Sequence, residues 1–350
     1  MDDLDGSGLE GIDVPNVSAW FEANIPGATP PLGFELIPGG RSNLTYRVLD
    51  RAGHAYVLRR PPVSHVLPTA HDMRREHRII AALGPAGLPV APALGFCGDE
   101  SVNGRPFYVM GYVEGHVLRD EEGADKVLDP GARWRAGESL VDVLADIHAV
   151  DVDAVGLGDL GRREGYIARQ LNRWYGQYRQ SRDLGGPDVP AVDQIHDFLA
   201  ERIPEQGPAA IVHGDYRLDN TIVGDDGTVR AVLDWEICTL GDPLADVGLL
   251  MVYWTEPGEK AALGVSPTTA PGFADRAYLR ARYAARSGRD LSELDFYVAF
   301  GYWKLACIIE GVFTRYAGGA GGGDRSDHRG MVDQVHDLAA SAATAAERLG

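Results

Sequence analysis

Three polar side chains at fixed spacing stand at the ends of two apolar segments in the second half of the chain. Asp215 and Asn220 lie five residues apart after the apolar run Ile211–Val212, and Asp234 follows the apolar run Val229–Leu233. One carboxylate and one amide oxygen are ligands that Mg²⁺ accepts when water and phosphate oxygens complete its octahedron. A second carboxylate on the same loop can orient a hydroxyl group and accept its proton. The predicted chemistry is phosphoryl transfer to a hydroxyl, with Asn220 and Asp234 as metal ligands and Asp215 as the base.

A strand, a loop and a hairpin must position these side chains. The first apolar run predicts a short strand that enters the loop, and Thr221–Val223 predicts a strand that leaves it. The turn Gly224–Gly227 then reverses the chain into the second apolar run, so that Asp234 emerges at a strand end beside Asn220. In the competing interpretation, a plain hairpin, the Asp and Asn residues only form turns. That interpretation does not explain the segment His213–Asp215.

The segments HGDYRLDN (213–220) and LDWE (233–236) resemble the aminoglycoside phosphotransferase and choline kinase-like family, whose motif is H-G-D-x-x-x-x-N followed by a strand and D-x-E. The same five-residue spacing occurs in the protein-kinase catalytic loop. With the continuation to GDPLADVG (241–248), the sequence is most similar to the kinase-like domains attached to some acyl-CoA dehydrogenases. The resemblance extends from about Phe34 to about Glu310. It implies an α+β, bilobal protein-kinase-like fold with a small antiparallel-sheet N-lobe and a larger, mainly helical C-lobe.

The start of the chain has the pattern of one helix followed by strands. We expect residues 1–15 to be disordered and Asn16 to cap a helix through Val17–Asn24. Alternating apolar residues then predict three antiparallel strands, at Phe34–Ile37, Leu44–Leu49 and Ala55–Arg59.

The later part of the chain has helical periodicity. We therefore place the N-terminal nucleotide-binding lobe at 1–112 and the C-terminal lobe, with the catalytic loop and the acceptor site, at 113–350. The predicted helices of this lobe are Trp134–Ala149, Tyr166–Gln180, Val192–Ile203, Val247–Trp254, Phe273–Ser287, Glu293–Tyr316 and Met331–Arg348. The last of them, after the linker Gly318–Gly323, is interpreted as a terminal strap or a homodimer contact.

The connection between the first two strands is a candidate phosphate-binding loop. Gly39 and Gly40 allow backbone amides to approach a phosphate closely, and Ser42 and Asn43 add side-chain donors. Two glycines between strands usually form only a turn. Together with the motif downstream, however, they predict a loop that covers a nucleotide.

The resemblance also implies a cation on the third strand. Family members use a lysine in V-x-K to bind the α- and β-phosphates, and Arg59 stands at that position here, so the chain departs from the pattern. Arginine keeps the charge and can hold two phosphate oxygens, although it is bulkier than lysine. Glu76, on the helix predicted at His71–Leu83, corresponds to the acid that pairs with this cation. Alternation along the strand places Arg60 on the opposite face.

The segment Phe107–Gly115 predicts a strand that leads into the hinge between the lobes. We expect the adenine ring to bind there, with the backbone of Gly111, Tyr112 and Val113 hydrogen-bonded to the base and Met110 lining the pocket. The nucleotide would be ATP, with GTP as the alternative.

Charge argues against nucleic acid as a partner. The chain has 350 residues and a formal net charge of −18, so a phosphate backbone would be repelled. Its three cysteines, Cys97, Cys238 and Cys307, are far apart and predict neither a disulfide framework nor a metal site. This cysteine usage is typical of a reducing, cytoplasmic environment.

No membrane association is expected. The first residues, MDDLDGSGLEGIDV, are acidic and lack the apolar core of a signal peptide. The most apolar later segment, Tyr297–Phe313, is interrupted by Lys304 and Glu310. That composition favours a buried helix of a globular lobe.

One basic segment bears on the acceptor. From Arg162 to Arg182 there are six arginines and one acid, in a protein that is strongly acidic overall. Arg169 and Arg173 are four residues apart on one helix face, which suits an anionic acceptor such as a phosphate- or CoA-bearing molecule. The alternative is a solvated helix whose arginines pair with acids of neighbouring segments.

The prediction is therefore a Mg-assisted, ATP-dependent phosphotransferase that acts on a small-molecule hydroxyl, with an anionic or CoA-linked compound favoured. An aminoglycoside is the alternative acceptor, and its amines would require an acidic cleft. A nucleotide-binding pseudokinase is the second alternative, because an arginine replaces the phosphate-binding lysine. Asp242 and Asp246 are expected to brace the catalytic loop, and His148 is expected to be structural.

Overall fold

The computed structural model describes residues 9–38, 43–63, 72–317 and 328–349. The chain divides into two compact units, Met1–Gly115 with Arg230–Glu236 and His116–Val229 with Ile237–Gly350. This division differs from the predicted boundary after residue 112. The prediction assigned all of 113–350 to the second lobe, whereas the segment Arg230–Glu236, with Asp234, returns to the first unit.

The first unit contains a small antiparallel sheet, as predicted, and its described residues form three helices, of which the short one at Glu100–Asn103 was not predicted. Its strands lie in the order β1-β2-β3-β5-β4 and every neighbouring pair is antiparallel. In chain order the elements are α1 (Val14–Asn24), β1 (Gly33–Leu36), β2 (Leu44–Leu49), β3 (Ala55–Arg60), α2 (Met73–Leu83), β4 (Ala93–Cys97), α3 (Glu100–Asn103) and β5 (Phe107–Gly111). Segment 230–236 joins this unit at Val232, whose N–H donates to Pro89 O at 2.8 Å.

The described part of residues 1–15 is ordered, so the expectation of disorder is wrong for that part. Ile12 is buried, and the N–H of Asp13 donates to Asn103 Oδ1 at 2.9 Å. Helix α1 begins at Val14, because the carboxylate of Asp13 accepts from the N–H of Asn16 at 3.1 Å and caps the helix. Pro15 in the first turn has a φ angle suited to a helix start. Asp13 is the N-cap instead of Asn16, and residues 1–8 lie outside the described residues.

Alternation along β3 decides where its two arginines point. Tyr56 and Leu58 face the core between the sheet and α1, where Phe21 is also buried. Arg60 has the same parity and is buried on that side, with Nε donating to Pro61 O at 3.1 Å. Arg59 therefore lies on the other face of the sheet, as the sequence predicted.

The second unit is mainly helical, as predicted. Strands β6 (Ala210–Val212) and β9 (Thr239–Gly241) form an antiparallel pair. Strands β7 (Thr221–Val223) and β8 (Val229–Val232) form a hairpin, whose turn is closed by the N–H of Gly224 donating to Thr228 O at 2.8 Å. The chain passes from the second unit to the first within β8. In chain order the elements are α4 (Glu121–Val127), α5 (Pro130–Ala149), α6 (Tyr166–Asp183), α7 (Pro190–Ala200), β6 (Ala210–Val212), β7 (Thr221–Val223), β8 (Val229–Val232), β9 (Thr239–Gly241), α8 (Leu244–Tyr253), α9 (Arg276–Ser287), α10 (Leu294–Ala317) and α11 (His328–Ala346).

Helix α10 lies against α8 in the core of the second unit. A Cβ atom at Gly248 would lie 2.5 Å from the backbone carbon of Tyr297, so only glycine permits this approach of the two helices. Residues Leu294–Thr314 are long and apolar enough to cross a membrane, and 67% of their most apolar window is buried inside the protein. Lys304 and Glu310, which interrupt the apolar part Tyr297–Phe313, are both buried.

Glu310 is a buried carboxyl group without a cationic partner among the described residues. Its Oε1 accepts from Thr314 Oγ1 at 3.0 Å, and its Oε2 has no hydrogen-bond partner in the described part of the chain. Burial raises the pKa of Glu310, although hydrogen bonds from Thr314 and Ser181 oppose the rise. The folded state therefore holds this proton more tightly than the unfolded state. Stability falls as the pH rises from the usual carboxyl range toward the folded pKa.

Replacement of this charge should stabilise the protein at alkaline pH. We expect Glu310→Gln to raise the Tm at pH 8 by about 2–4 °C, the shift that ~1 kcal/mol produces in a domain of this size. The gain should shrink as the pH is lowered toward 4, because the native carboxyl is then protonated. Thermal unfolding followed by circular dichroism measures both values. Glu122→Gln, at an exposed position, is the control and should leave the Tm unchanged, and an unchanged or lower Tm of Glu310→Gln at pH 8 would contradict the prediction.

Candidate active site

The candidate catalytic loop follows β6 and needs a glycine at its second position. Gly214 has φ +89°, a left-handed conformation that side chains other than glycine rarely adopt. A Cβ atom there would also lie 2.9 Å from Ile237 Cδ1. This turn directs Asp215 away from the strand that precedes it.

Asp246, in the first turn of α8, holds the backbone of this loop. Its Oδ2 accepts from the N–H of His213 at 2.6 Å, and its Oδ1 accepts from the N–H of Gly214 at 2.8 Å. His148 Nε2 lies 3.4 Å from Oδ2, and His148 Nδ1 lies 2.7 Å from the hydroxyl of Tyr283. Burial would raise the pKa of Asp246, but hydrogen bonds and charge from His148 and the loop lower it. The expected bracing role of Asp246 and the structural role of His148 agree with these contacts.

Lys304 on α10 supports the loop from the protein interior. Its Nζ donates to Gly214 O at 2.8 Å, and the side chain is buried. Burial lowers the pKa of Lys304, and the nearby carboxylates of Asp215 and Asp246 oppose that effect. Nothing local in the sequence connects position 304 to position 214, so this contact could not be predicted.

Both carboxylate oxygens of Asp215 are hydrogen-bonded. The hydroxyl of Tyr253 donates to Oδ1 at 2.6 Å, and Asn220 Nδ2 donates to Oδ2 at 2.9 Å and to the backbone oxygen of Asp215 at 2.8 Å. The amide nitrogen of Asn220 is thus used inside the loop. Its oxygen is the atom left to bind a cation, and this fits the predicted ligand role.

Arg217 is a loop residue that the sequence analysis passed over. Its guanidinium lies 3.2 Å from Asp219 Oδ2 and 3.8 Å from Asp215 Oδ2, and it covers the ring of Tyr253 at 4.9 Å. Burial raises the pKa of Asp219, and the charge of Arg217 opposes the rise. A pocket beside the loop is lined by Arg217, Leu218, Asp219, Leu250, Tyr253, Trp254, Pro267 and Thr268.

In the first unit, Arg59 is surrounded by carboxylates. Its Nε lies 3.2 Å from Glu76 Oε2, and its guanidinium donates to Asp234 Oδ1 at 2.6 Å. Glu236, the acid of the D-x-E motif, lies 3.8 Å away. Burial would lower the pKa of Arg59, but Tyr108, Glu76 and Asp234 raise it. The pairing of Arg59 with Glu76 is as expected, whereas its contact with Asp234 was not foreseen.

Asp234 and Asn43 complete this cluster. Asp234 has φ +63°, and no other non-glycine residue in the described part of the chain has a positive φ. Such strained backbone concentrates at functional sites. Asn43 Nδ2 donates to Glu236 Oε2 at 3.1 Å and to Glu76 Oε1 at 3.5 Å. Asn43 therefore lies beside the Arg59 cluster, while Gly39, Gly40 and Ser42 lie outside the described residues.

The residues predicted to contact adenine lie at the end of β5 and just after it. Met110 is buried on β5, as a pocket-lining residue would be. The N–H of Gly111 donates to Pro92 O at 2.8 Å, however, and that of Tyr112 donates to Ala55 O at 3.4 Å. These two donors already have partners within the first unit, because the hinge strand pairs with its neighbours to its end. Contact between the backbone of this segment and an adenine base stays a prediction.

In the arginine-rich segment, Arg163 and Arg182 form ion pairs with acids. Arg163 lies 2.5 Å from Asp153 Oδ1, and Arg182 lies 3.2 Å from Asp193 Oδ2. Arg169 donates to Arg162 O at 2.6 Å and so closes the start of α6. Arg173 stays exposed on α6, its guanidinium 5.0 Å from the ring of Trp174. The role of Arg169 and Arg173 in binding an anionic acceptor stays a prediction.

The donor set bears on whether Mg²⁺ can be bound. Among the described residues, no group of three or more His, Cys, Asp or Glu side chains is arranged to hold a metal ion. Mg²⁺ in phosphoryl-transfer sites typically takes only one or two protein ligands and obtains the rest from phosphate and water. The amide oxygen of Asn220 and the carboxylate of Asp234 are chemically suitable for that role.

Comparison with known proteins defines the class of this chain. The sequence model of the phosphotransferase enzyme family matches residues 33–297, so the chain belongs to that family. A solved protein from Ralstonia eutropha, provisionally named an aminoglycoside phosphotransferase, is 33% identical with a TM-score of 0.81, over 96% of this chain and 98% of the other. Choline kinase from Cryptosporidium parvum shares the fold at 11% identity, with a TM-score of 0.65 over 96% of each chain. The expected kinase-like fold is confirmed.

The curated relatives narrow the subgroup. Acyl-CoA dehydrogenase family member 10 of Mus musculus is 34% identical over 333 residues, which cover 91% of this chain and 30% of that protein. This chain thus spans about a third of the length of the curated relatives that it matches. The resemblance to kinase-like domains attached to acyl-CoA dehydrogenases is confirmed.

The Asp246 contacts predict a large loss of stability when the carboxylate is removed. Asp246→Ala leaves two buried N–H groups without an acceptor, and each costs about 1–3 kcal/mol. We expect a total loss of about 2–6 kcal/mol in the free energy of unfolding, measured with urea. Asp246→Asn keeps one acceptor oxygen and should lose less. The control is Asp225→Ala, which removes a carboxylate that is 90% exposed. It should change the free energy of unfolding by less than about 0.5 kcal/mol. Equal losses in the Asp246 and Asp225 variants would refute the bracing role.

Proposed function

We propose that this protein transfers the γ-phosphoryl group of ATP to a hydroxyl group of a small molecule. Asp215 orients the acceptor hydroxyl and takes its proton as the hydroxyl oxygen bonds to phosphorus and the bond to the ADP oxygen breaks. Mg²⁺, bound by Asn220 and Asp234, would neutralise charge on the phosphates. Arg59, held by Glu76, binds phosphate oxygens. The observation that supports this most is the doubly hydrogen-bonded carboxylate of Asp215 at the start of a loop that also presents the amide of Asn220.

An anionic or CoA-linked acceptor is favoured over an aminoglycoside. Arg217 lies beside the proposed base, and Arg173 is exposed on α6. The side chains around the pocket include apolar ones, from Leu250 and Pro267, which suit an acyl chain better than a polyamine. The curated relatives are named acyl-CoA dehydrogenases, which supports an acyl-CoA or a hydroxy acid derived from one as the compound phosphorylated here.

A panel of acceptors tests the proposal. The protein is incubated with Mg-ATP and with hydroxyacyl-CoAs, the corresponding free hydroxy acids, choline or kanamycin, and ADP release is followed. We expect release to rise with a hydroxyacyl-CoA or hydroxy acid, and mass spectrometry should find a phosphate on its hydroxyl. Turnover with kanamycin alone would establish the aminoglycoside alternative. ATP binding without turnover of any acceptor would favour the pseudokinase, and repeating the panel with GTP decides the donor.

Two substitutions separate the base from the metal ligand. Asp215→Asn should abolish phosphoryl transfer and leave Mg-ATP affinity nearly unchanged, because the lost carboxylate acts on the acceptor. Asp234→Ala should weaken Mg-ATP binding as well as the rate, because it removes a metal ligand. Isothermal calorimetry and turnover measure the two effects. Parent-like turnover in Asp215→Asn, or unchanged metal-dependent ATP binding in Asp234→Ala, would disprove the respective role.

Arg59 distinguishes an active enzyme from a pseudokinase. Arg59→Ala should reduce kcat/KM for ATP about ten- to a hundredfold, the loss expected for charge-assisted hydrogen bonds to phosphate. Arg59→Lys should recover part of it, since lysine restores the charge at the position where relatives have it.

Arg60→Ala is the matched control for this series. It should keep the parent kcat/KM but lower the Tm, because the buried Arg60 guanidinium bonds to Pro61 O. A large catalytic defect at Arg60 with none at Arg59 would contradict the assignment.

A further inference from the structure

Helix α8 contacts the catalytic loop at both of its ends. Asp246 in its first turn binds the backbone of His213 and Gly214, and Tyr253, its last residue, binds the side chain of Asp215. The two α8 residues are seven apart, which is close to two helical turns and places them on one face. One rigid element therefore fixes both the path of the loop and the orientation of its acid.

The hydroxyl of Tyr253 is a directed donor. It lies 2.6 Å from Asp215 Oδ1, within the range of charge-assisted O–H···O⁻ hydrogen bonds. Burial and the charge of Asp215 raise the pKa of Tyr253, so the hydroxyl keeps its proton. The ring of the same residue lies under the guanidinium of Arg217 at 4.9 Å. Tyr253 thus contacts both charged side chains at the start of the loop.

We propose that Tyr253 is a positioning residue for phosphoryl transfer, and this rests on the proposed function. With Tyr253 on Oδ1 and Asn220 on Oδ2, the carboxylate of Asp215 is fixed against rotation about its Cβ–Cγ bond. A carboxylate has about four lone-pair sites, so unoccupied ones remain for the acceptor hydroxyl. Without the Tyr253 hydroxyl the carboxylate would sample orientations that do not meet the acceptor, and the rate would fall while nucleotide binding would not.

Tyr253→Phe tests this, because it removes only the hydroxyl. ADP release from Mg-ATP is measured with water as the acceptor and with any acceptor that the panel identifies. We expect kcat to fall about ten- to a hundredfold, while KM for ATP stays within about twofold. The matched control is Tyr175→Phe, which removes a hydroxyl that donates to Asp193 Oδ1 at 2.7 Å between α6 and α7. This variant should keep the parent kcat, because the hydrogen bond that it loses joins α6 to α7 and does not involve the catalytic loop.

A second measurement does not depend on activity. In a double-mutant cycle of Tyr253→Phe and Asp215→Ala, the Tm loss of the double variant should be smaller than the sum of the single losses, because both remove the same hydrogen bond. Additive losses would overturn the proposed contact. Parent-like kcat in Tyr253→Phe would overturn the positioning role even if the losses couple. If the parent protein itself turns over no ATP, the proposed function fails and the catalytic half of this inference fails with it, whereas the cycle still decides the contact.

Discussion

The backbone of the candidate catalytic loop depends on one buried carboxylate. His213 is fully buried, so its N–H cannot turn to water, and Gly214 adopts a left-handed conformation that continues neither a strand nor a helix. Asp246 is the acceptor for the N–H groups of both residues. A buried charge is itself costly unless it is hydrogen-bonded, and His148 and the positive end of α8 reduce that cost. The loop geometry is therefore secured from a helix more than twenty residues away in sequence.

In the cluster around Arg59, several carboxylates surround one cation. The guanidinium of Arg59 faces the carboxylates of Glu76, Asp234 and Glu236. Arginine suits this arrangement because its planar fork reaches two carboxylates in different directions, whereas an ammonium is a single point charge. Burial raises the pKa of Glu76, which eases the repulsion among these acids.

The sequence predicted what is local and missed what is distant. The loop residues, the strand face of Arg59 and the pairing with Glu76 follow from short motifs, alternation and the family pattern. The sequence did not predict the contacts of Lys304, Tyr253 and Glu236. Those contacts depend on how α10, α8 and the segment after β8 pack. The hinge illustrates another limit. Its strand was recognised, but hydrogen bonds from Gly111 and Tyr112 to neighbouring segments depend on sheet order, which the alternation does not fix.

Charge near the proposed base bears on the choice of acceptor. Asp215 and Asp219 on the loop are offset by Arg217 beside them and by Lys304 beneath the loop. Four charges that nearly cancel give a polycationic acceptor little attraction, and they do not repel an anion. The choice of acceptor at such a site then depends mainly on the shape of the pocket and on apolar contacts, as in most small-molecule pockets. Leu250 and Pro267 are pocket-lining side chains that offer such apolar contact. For that reason one catalytic loop can serve family members with unrelated acceptors, and the acceptor has to be sought in the pocket and not in the motif.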